Sequence, residues 1–405
     1  MTGPTADAAT SVQQGNRAFE RGDYVDAIRW YELAIIEECR LTPVLVPSIR
    51  RAESKLGSLG RSQSADGFRM PFAAESARSI KYLQGGAGRK EGRPTVLLVS
   101  HAAGKRLFGA ERSLLDLAAA ACEGAGCNVI VSLPSRNRDY IRALSAHACQ
   151  IAVHEYGPWA RSQPVDGGSV QQFERIIESM GVDLVHVNTF TLREPLIAAR
   201  ACGVPALVHG REIIEDDIHL QKLVGHDGRV IVSHINHLAS RIVSNSQATQ
   251  EAIDPERRGF VLPNTIDVDG FAREVQARGR QRFRRRRRLA VGLISSNVAK
   301  KGVEDFLWLA AECEGRDIDA QFIVIGPRNA YVKSLAGKPE YRQLSNVQFT
   351  GYIADPKDAM ARIDVVCSFS HISESFGRTV LEAMAASSPA IVYDRGALPE
   401  LVEDG

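Results

Sequence analysis

The chain has 405 residues, of which 44% are hydrophobic and 24% are charged. This composition is typical of folded globular domains, and the length is enough for two or three of them, so a disordered or fibrous protein is excluded. The formal net charge is only +2, which excludes a general attraction to nucleic acid or lipid. The seven cysteines are scattered and form no C-x-x-C pair, a pattern that predicts reduced thiols in the cytoplasm.

Residues 1–15 are polar and lack the basic and apolar regions of a signal peptide. The sequence contains no run that approaches the ~18 apolar residues of a membrane span. These features predict a cytoplasmic protein, and any contact that it makes with a membrane should be peripheral, at the inner face.

Apolar residues recur at helical spacing between residues 13 and 56, with Phe19 and Tyr31 on one face and Gly22-Asp23 as the turn between two helices. We interpret residues 10–57 as a helical segment that resembles one tetratricopeptide unit. A solenoid of such units needs about three copies. The single copy is therefore expected to be a cap, a dimer arm or a docking piece for a protein partner, and an ordinary helical hairpin remains the alternative.

The composition of residues 58–92 is rich in Gly, Ser, Arg and Ala and predicts a linker. Short β-rich runs then alternate with helical segments, and this rhythm predicts parallel sheets covered by helices, with ligands at the carboxyl ends of the strands. The predicted strands are 95–99, 128–131, 183–187, 206–208 and 241–243, followed after an interruption by 289–294, 321–325, 346–349, 364–367 and 390–393.

The interruption divides this part of the chain into two α/β domains. We expect a first Rossmann-like domain over residues 93–271, an arginine-rich connector over 272–288, and a second Rossmann-like domain over 289–405. Two such domains joined by a short connection predict a cleft, and ligands usually bind in such clefts.

The most informative segment begins at Ser373, follows a predicted buried strand and opens a helix. A helix start offers unpaired backbone N–H groups and a positive dipole, so it is suited to binding a diphosphate. Gly377 would let the backbone approach that anion closely. Glu374 lies just before the helix and Glu382 about two turns inside it. One carboxylate would then reach a sugar beyond the phosphates, and the other would bind two ribose hydroxyls.

This segment, with Glu374 and Glu382 separated by seven residues, resembles glycosyltransferase family 4, the retaining family with the GT-B fold of two facing Rossmann domains. The resemblance covers roughly residues 95–405. It includes Pro263-Asn264-Thr265-Ile266-Asp267, Lys301-Gly302 and Asp394-Arg395-Gly396. In the first domain, Gly109 and the residues after it resemble the family's glycine-containing loop and helix start.

The resemblance implies a role for each matching residue. Glu374 would bind the transferred sugar, Lys301 the diphosphate, and His209, at the end of a predicted strand, the sugar; for His209 a structural role is the alternative. The expected donor-binding residues are Glu382 on the ribose, Gly377, Arg378, Thr379 and Val380 on the distal phosphate, and Gly109 and Gly396. A lysine beside the diphosphate would stabilise the negative charge that grows as it leaves.

The resemblance therefore implies a hexosyltransferase that uses a nucleotide diphospho-sugar as co-substrate, needs no cofactor or metal, and glycosylates a glycan or lipid-linked acceptor. Two departures stand against it. Leu293 and Ile294 occupy the region where the family commonly has an arginine. The family also continues beyond the position of Gly405 with a strand and helices, so we expect the donor domain to be truncated.

Other interpretations remain open on the sequence alone. Asp267-Val268-Asp269 and Asp317-Ile318-Asp319 are potential metal-binding pairs of another transferase fold, although neither is predicted to lie at a cleft. A non-catalytic scaffold that binds a nucleotide-sugar is a second alternative, and a nucleotide-sugar epimerase a third. The arginine run from Arg284 to Arg288 predicts either a solvated connector or a peripheral contact with anionic lipid. We do not expect nucleic acid as a partner, because Phe283 is the only aromatic residue among the arginines that could stack on a base.

Overall fold

The computed structural model describes residues 8–58, 79–101, 107–160, 165–256, 258–283 and 288–403. The chain forms two compact units. The first contains Met1–Ser244 and Gln250–Val261, and the second contains Asn245–Thr249 and Leu262–Gly405. Within the described ranges, no helix has both the length and the apolar composition needed to cross a membrane.

The chain begins with the helical segment expected from its periodicity, made of α1 (Ala8–Glu20), α2 (Tyr24–Glu37) and α3 (Thr42–Ser58). Gly22 forms the turn with a φ of 78°, and the Asp23 side chain caps α2 by accepting a hydrogen bond from the Asp26 amide. Tyr31 packs directly over Gly15, where a Cβ atom would lie 2.6 Å from the ring. The prediction of a helical segment is confirmed.

A sheet of eight strands forms the centre of the first unit. The strands are β1 (Lys81–Gln84), β2 (Thr95–Val99), β3 (Asn128–Leu133), β4 (Gln150–Val153), β5 (Leu184–Val187), β6 (Ala206–Gly210), β7 (Arg241–Ser244) and β8 (Phe260–Val261). Their order is β1-β4-β3-β2-β5-β6-β7-β8, and all neighbours are parallel except β1 and β4. Because β2 lies between β3 and β5, the strand order reverses there, as in a Rossmann-like sheet.

Helices cover both faces of this sheet. They are α4 (Gly109–Ala119), α5 (Arg138–Ser145), α6 (Gly167–Met180), α7 (Glu194–Ala201), α8 (Ile218–Val224), α9 (Gly228–Leu238) and α10 (Gln247–Ile253), whose residues up to Thr249 cluster with the second unit. Each sheet face has its own apolar core. Ile36 and Cys39 of the N-terminal helical segment belong to one of these cores, so that segment packs on the Rossmann-like sheet domain of the first unit.

The expected linker over residues 58–92 needs a correction. Residues 59–78 lie outside the described residues, but Lys81–Gln84 forms β1, an antiparallel edge strand on β4. This strand is exposed along most of its length, so it lacks the apolar alternation by which a strand is recognised in a sequence.

A parallel sheet of five strands organises the second unit, in the order β11-β10-β9-β12-β13. These strands are β9 (Leu289–Ile294), β10 (Ala320–Ile325), β11 (Val347–Gly351), β12 (Val365–Ser368) and β13 (Ala390–Val392). The helices are α11 (Val268–Phe283), α12 (Val303–Gly315), α13 (Ala330–Ala336), α14 (Pro339–Arg342), α15 (Pro356–Met360) and α16 (Arg378–Ala385). Both units thus have the expected parallel α/β architecture.

The connector expected over residues 272–288 also differs from the structure. Most of it is helix α11, whose Phe271 and Val275 are buried in the core of the second unit. Farther along the same helix, Arg278 forms ion pairs with Asp355 and Asp358. The arginines from Arg284 to Arg287 lie outside the described residues, and Arg288 forms an ion pair with Asp319.

Candidate functional site

In the second unit, the loop after β12 leads into helix α16 and carries the residues that the sequence singled out. Gly377 is the N-cap of α16, has a φ of 91° and provides no side chain to cap the helix. A Cβ atom at this position would lie 2.5 Å from Leu398. The positive end of the helix dipole lies at the start of α16, at Arg378 and Thr379, where it favours a negative charge.

Glu374 is held in place by its backbone. It forms an isolated parallel bridge with Gly396, and its carbonyl accepts a hydrogen bond from the Ala397 amide at 2.8 Å. A Cβ atom on Gly396 would lie 2.4 Å from the Glu374 carbonyl oxygen, and the φ of Gly396 is 62°. Only glycine fits at position 396 without moving Glu374, which explains the glycine singled out there by the sequence.

Lys301 reaches the carboxylate of Glu374. It lies at the end of a 3₁₀ turn, Ala299–Lys301, followed by Gly302 in the left-handed conformation. A Cβ atom on Gly302 would lie 2.0 Å from the carbonyl oxygen of Phe369, so this glycine brings the lysine turn close to the loop after β12. The Lys301 Nζ then forms an ion pair with Glu374 Oε1 in which both side chains are mostly buried.

The second carboxylate, Glu382, lies on α16 and is only 2% exposed. Its Oε1 accepts a hydrogen bond from Arg378 Nε at 3.2 Å, one helical turn earlier. Val380 and Ala383 anchor the opposite side of the same helix in the core. The structure therefore brings Glu374, Lys301, Glu382 and the start of α16 into one region of the second unit.

The loop after β12 is supported by residues that were not predicted from the sequence. Ser375 Oγ accepts a hydrogen bond from Asn245 Nδ2, and the Ser375 carbonyl accepts one from Thr249 Oγ1 at 3.0 Å. The carboxylate of Glu400 caps the start of α10 through the amides of Gln247 and Ala248. Segment Asn245–Thr249 lies more than 100 positions before the loop in the chain, and no local signal indicates the pairing.

A second missed group lies next to the lysine turn. Asp305, on the first turn of α12, accepts hydrogen bonds from Tyr393 at 2.6 Å and from His371 at 2.7 Å. The carboxylate stabilises the neutral phenol and, together with burial, raises the pKa of Tyr393 to about 12. The His371 amide also donates to the Lys300 carbonyl. This group therefore fixes the backbone next to Lys301.

In the first unit, His209 lies at the carboxyl end of β6 and is 3% exposed. Its ring lies 5.5 Å from the ring of His186 on the neighbouring strand β5. Burial, the positive charge of Arg211 and the neighbouring His186 hold the pKa of His209 well below its usual value. Burial and Arg211 likewise lower the pKa of His186 to about 3. Both imidazoles are therefore neutral at physiological pH.

His209 belongs to a polar network whose other members the sequence analysis did not identify. Arg211 donates from its Nη2 to His209 Nδ1 at 3.2 Å and from its Nε to Asn188 Oδ1 at 2.7 Å. Glu212 accepts from Thr189 Oγ1 at 2.8 Å. Charged residues directly after a predicted strand are a signal that could have drawn attention to Arg211 and Glu212.

Gly109 is the first residue of α4 in the first unit. The Phe108 amide before it donates to the Glu111 carboxylate at 3.0 Å, and Glu111 is 5% exposed. Asn188 Nδ2 donates to the carbonyl of Ala110 at 3.2 Å. Gly109 thus lies beside the network that contains His209. Residues 102–106, between the first predicted strand and this helix, lie outside the described residues.

One carboxylate of each Asp pair that was considered as a potential metal site contacts another part of the protein. Asp267 Oδ1 caps α11 by accepting from the Gly270 amide at 3.0 Å, and Asp319 forms an ion pair with Arg288. Within the part of the chain that the structure describes, no group of three or more His, Cys, Asp or Glu side chains is arranged to hold a metal.

The chain matches two family models. Residues 109–269 match the model described as Glycosyltransferase Family 4, and residues 285–405 match the model described as Glycosyl transferases group 1. The two matches fall on the two sheets described above and include Gly109, His209, Lys301, Glu374 and Glu382.

Curated relatives cover part of the chain. A phosphatidyl-myo-inositol mannosyltransferase of Mycobacterium tuberculosis is 29% identical over 147 residues, which are 36% of this chain and 37% of that protein. An alpha-D-kanosaminyltransferase of Streptomyces kanamyceticus is 24% identical over 236 residues, or 52% of this chain and 58% of that protein. The chain thus spans little more than a third of the mannosyltransferase and just over half of the kanosaminyltransferase.

The fold is similar to that of solved glycosyltransferase structures. Anabaena Alr3699/HepE, crystallised in complex with UDP and glucose, superposes with a TM-score of 0.63 and 24% identity, covering 77% of this chain and 84% of that one. A glycosyltransferase from Rickettsia africae superposes with a TM-score of 0.57 and 16% identity, covering 77% and 82%. The expected fold class, GT-B with two Rossmann-like domains and a preceding helical segment, is confirmed.

Proposed function

Because the chain belongs to the glycosyltransferases of family 4 and group 1, we propose that it moves a hexose-type sugar from a nucleotide diphospho-sugar to a glycan or lipid-linked acceptor. The observation that carries the proposal is the contact of Lys301 with Glu374 beside the start of helix α16, whose N-cap residue Gly377 has no side chain. A cation, a carboxylate and a helix start together are suited to a diphosphate joined to a polyhydroxylated sugar.

The second unit would bind the donor. The diphosphate would lie at the start of α16, where the amide of Thr379 and the helix dipole favour negative charge. Lys301 would contact the same diphosphate, since its ammonium group is held in this region by Glu374. Glu382 would accept hydrogen bonds from the two ribose hydroxyls. Its carboxylate is already buried and oriented by Arg378, so little ordering remains to be done on binding.

The chemistry proposed is substitution at the sugar carbon with retention of configuration. The bond from that carbon to the diphosphate oxygen breaks, a bond to the acceptor oxygen forms on the same face, and the acceptor proton passes to the leaving phosphate oxygen. Lys301 and the start of α16 would stabilise the negative charge that develops on the leaving group, which is the task a metal ion has in other transferases. Glu374 would position the sugar hydroxyls. We therefore propose that the reaction needs neither a metal ion nor an organic cofactor.

Two relatives support the proposed classes of donor and acceptor. The structural neighbour from Anabaena binds UDP and glucose, in agreement with a nucleotide-hexose donor. The mycobacterial relative acts on phosphatidyl-myo-inositol, in agreement with a lipid-linked acceptor. A lipid-linked acceptor would bring the protein to a membrane surface, and the arginines from Arg284 to Arg288 are the proposed contact. A protein partner on the N-terminal helical segment also remains a proposal.

The proposal is tested with purified full-length protein. A panel of nucleotide-sugars, beginning with UDP-glucose, is screened by the rise in melting temperature, because a ligand that binds only the folded state stabilises it. The best donor is then used in transfer assays with a chelator present. We expect donor binding and transfer that survive chelation. If donor binds and is neither transferred nor hydrolysed, the protein is a nucleotide-sugar-binding scaffold instead.

Variants locate the activity at the proposed residues. Glu382→Ala should weaken donor binding by about tenfold or more, because it removes a buried carboxylate that accepts two hydrogen bonds. Glu374→Gln should mainly lower kcat. The chain offers a matched control: Lys338 forms a similar ion pair with Glu304 on the surface of the same unit. Glu304→Gln and Lys338→Met should leave the kinetics unchanged. Full activity in both Glu374→Gln and Glu382→Ala would refute the assignment of these two carboxylates to the donor site.

A further inference from the structure

The polar network around His209 determines which ring nitrogen carries the hydrogen. Arg211 Nη2 lies 3.2 Å from His209 Nδ1. A guanidinium group can only donate hydrogen bonds, so Nδ1 must be the acceptor. In a neutral imidazole the hydrogen then lies on Nε2. The contact with Arg211 therefore selects the tautomer in which Nε2 is a hydrogen-bond donor.

The Nε2–H group of His209 has no partner among the residues that the structure describes, although it is buried. Buried polar groups in folded proteins are almost always hydrogen-bonded. Leaving a buried donor unsatisfied is unfavourable, and such a donor at the carboxyl end of a parallel strand indicates a position prepared for a ligand atom. The partner of an N–H donor must be an acceptor, such as a hydroxyl oxygen of a sugar.

The environment keeps this donor neutral. Among the described residues, the charged group facing the ring is Arg211, at Nδ1, and the titratable group facing it is His186, whose ring lies 5.5 Å away on β5. The positive charge of Arg211 disfavours a second positive charge on the imidazole. His209 therefore offers a neutral hydrogen bond over the whole physiological pH range.

Arg211 is itself held by two loops. Its Nε donates to Asn188 Oδ1 at 2.7 Å, and the Asn188 amide donates to the carbonyl of Val99 at 3.0 Å. Glu212 fixes the backbone next to it by accepting from the amides of Arg211 and Phe190 at 3.1 and 3.2 Å. The guanidinium group is thus fixed by the loops after β5 and β6, before any ligand arrives.

We propose that Arg211 is a positioning residue, which fixes His209 as a neutral Nε2–H donor to an oxygen of the bound sugar. The proposal rests on the glycosyltransferase function proposed above and deepens it, because it assigns a task to Arg211 and a direction to the hydrogen bond of His209. It also predicts that His209 does not act as a general base, since its Nε2 already carries a hydrogen.

The tautomer is measured directly by nitrogen-15 NMR of the full-length protein labelled at histidine, with the His209 signals assigned by their loss in His209→Gln. No substrate or turnover is needed. In the wild type we expect a protonated Nε2 and a bare Nδ1. In Arg211→Met we expect a mixture of tautomers and a higher pKa of His209, and in Arg211→Lys, which restores a donor, a return toward the wild-type tautomer. Arg142→Met, at an exposed site in α5, is the control and should change nothing.

Kinetics test the consequence. The amide nitrogen of glutamine can replace Nε2–H, whereas that of asparagine replaces Nδ1. His209→Gln should therefore retain more activity than His209→Asn by about tenfold or more, and Arg211→Met should lower kcat by about 10- to 100-fold with a smaller change in the donor KM. Arg211→Met should also regain activity as the pH falls through the raised pKa of His209, because the imidazolium carries a hydrogen on Nε2 in every molecule, whereas the wild type should not change over this range.

The outcomes separate the two proposals. A wild-type His209 with its hydrogen on Nδ1, or a tautomer that Arg211→Met leaves unchanged, overturns the role of Arg211 whatever the enzyme does. Equal activity of His209→Gln and His209→Asn overturns the donor role. Failure of the wild type to transfer any sugar of the panel overturns the proposed function instead, and the NMR result still decides whether Arg211 selects the tautomer. Circular dichroism of each variant shows that it is folded.

Discussion

Glu32 connects the N-terminal helical segment to the Rossmann-like domain of the first unit through a buried ion-pair triad. The residue lies on α2 and is 3% exposed. Its Oε1 accepts hydrogen bonds from Arg200 of α7 at 2.5 Å and from His237 of α9 at 2.8 Å. Burial favours the neutral acid, but the charge and hydrogen bond of His237 and the charge of Arg200 outweigh it, so the pKa of Glu32 is lowered.

The cost of Glu32→Ala can be worked from the exposure of its partners. Removing one member of a fully buried pair costs about 3–5 kcal/mol. The Arg200 side chain is 38% exposed, so water replaces the carboxylate there and this half of the loss is small. The His237 side chain is 9% exposed and would be left with a buried, unpartnered Nε2, at a cost of about 1–3 kcal/mol. We expect Glu32→Ala to destabilise the protein by about 2 kcal/mol, and Glu32→Gln, which keeps an acceptor, by less.

Urea unfolding followed by circular dichroism measures the change, with limited proteolysis reporting whether helices α1 to α3 are released first. Arg29→Ala is the matched control, because Arg29 lies on the same helix α2 and pairs with Asp26 at 3.2 Å on the surface. It should change the free energy of unfolding by less than about 0.5 kcal/mol. A Glu32→Ala protein as stable as the Arg29→Ala protein would refute the view that this triad holds the helical segment in place.

Two further predictions concern the backbone and acid stability. Gly302→Ala should destabilise the second unit and weaken donor binding, since it adds a clash with the Phe369 carbonyl to the strain of a left-handed residue. The control is Gly351→Ala, with a φ of 85° and no atom within 4 Å of the added Cβ, which should cost only about 1–2 kcal/mol. Equal urea midpoints for Gly302→Ala and Gly351→Ala would contradict the clash at position 302. Burial lowers the pKa of His154 to about 4, and burial with Arg211 lowers that of His186 to about 3. Both pKa values lie below the unfolded value near 6.5. Below pH 6.5 the unfolded chain therefore binds more protons than the folded protein, and stability decreases as the pH is lowered. Between pH 6.5 and 5 the loss should be on the order of 2 kcal/mol for each histidine. A flat urea midpoint over this range would contradict their burial as neutral groups.

The architecture was predictable because a parallel sheet places both faces of its strands in the core. Strands such as β2 and β10 are therefore continuous apolar runs that a sequence shows plainly. β1, β4 and β8 were not among the predicted strands. β1 is an exposed edge strand without apolar alternation, and β8 has only two residues, whereas β4 is as long as the correctly predicted β5. The N-terminal helices were recognised by their spacing, but their packing on α7 and α9 depends on pairs such as Glu32 with His237, 205 positions apart.

The candidate site likewise contains residues that the local sequence predicted and contacts that it did not predict. Glu374, Gly377 and Glu382 lie in one short segment, so the motif and the helix start could be found together. The contact of Lys301 with Glu374 joins positions 73 apart, and the family resemblance assigned both residues to the donor without predicting that they meet. Arg211 follows His209 by two residues, yet its proposed role depends on Asn188, just after the neighbouring strand β5. Local sequence thus predicts which residue types are available, whereas tertiary contacts decide which of them meet.

The ion pair of Lys301 with Glu374 has a consequence for donor binding. In the free protein Glu374 neutralises the ammonium group that we assign to the diphosphate, so the carboxylate and the phosphate compete for Lys301. The pair is also less exposed than its surface counterpart: the lysine and carboxylate side chains are 24% and 19% exposed, against 39% and 40% for Lys338 and Glu304. Breaking it therefore costs more than breaking a surface pair, whose contribution is about 0–1 kcal/mol.

Glu374→Gln removes this competition while keeping the shape of the side chain. We expect the variant to bind UDP alone more tightly than the wild type, by a few-fold, although it transfers sugar more slowly. Isothermal titration of Glu374→Gln, the wild type and the Glu304→Gln control with UDP measures the change in binding, and transfer assays of the same three proteins with the best nucleotide-sugar measure the change in rate. A Glu374→Gln protein that binds UDP more weakly than the wild type would show that the carboxylate supports the diphosphate site rather than competing for its lysine.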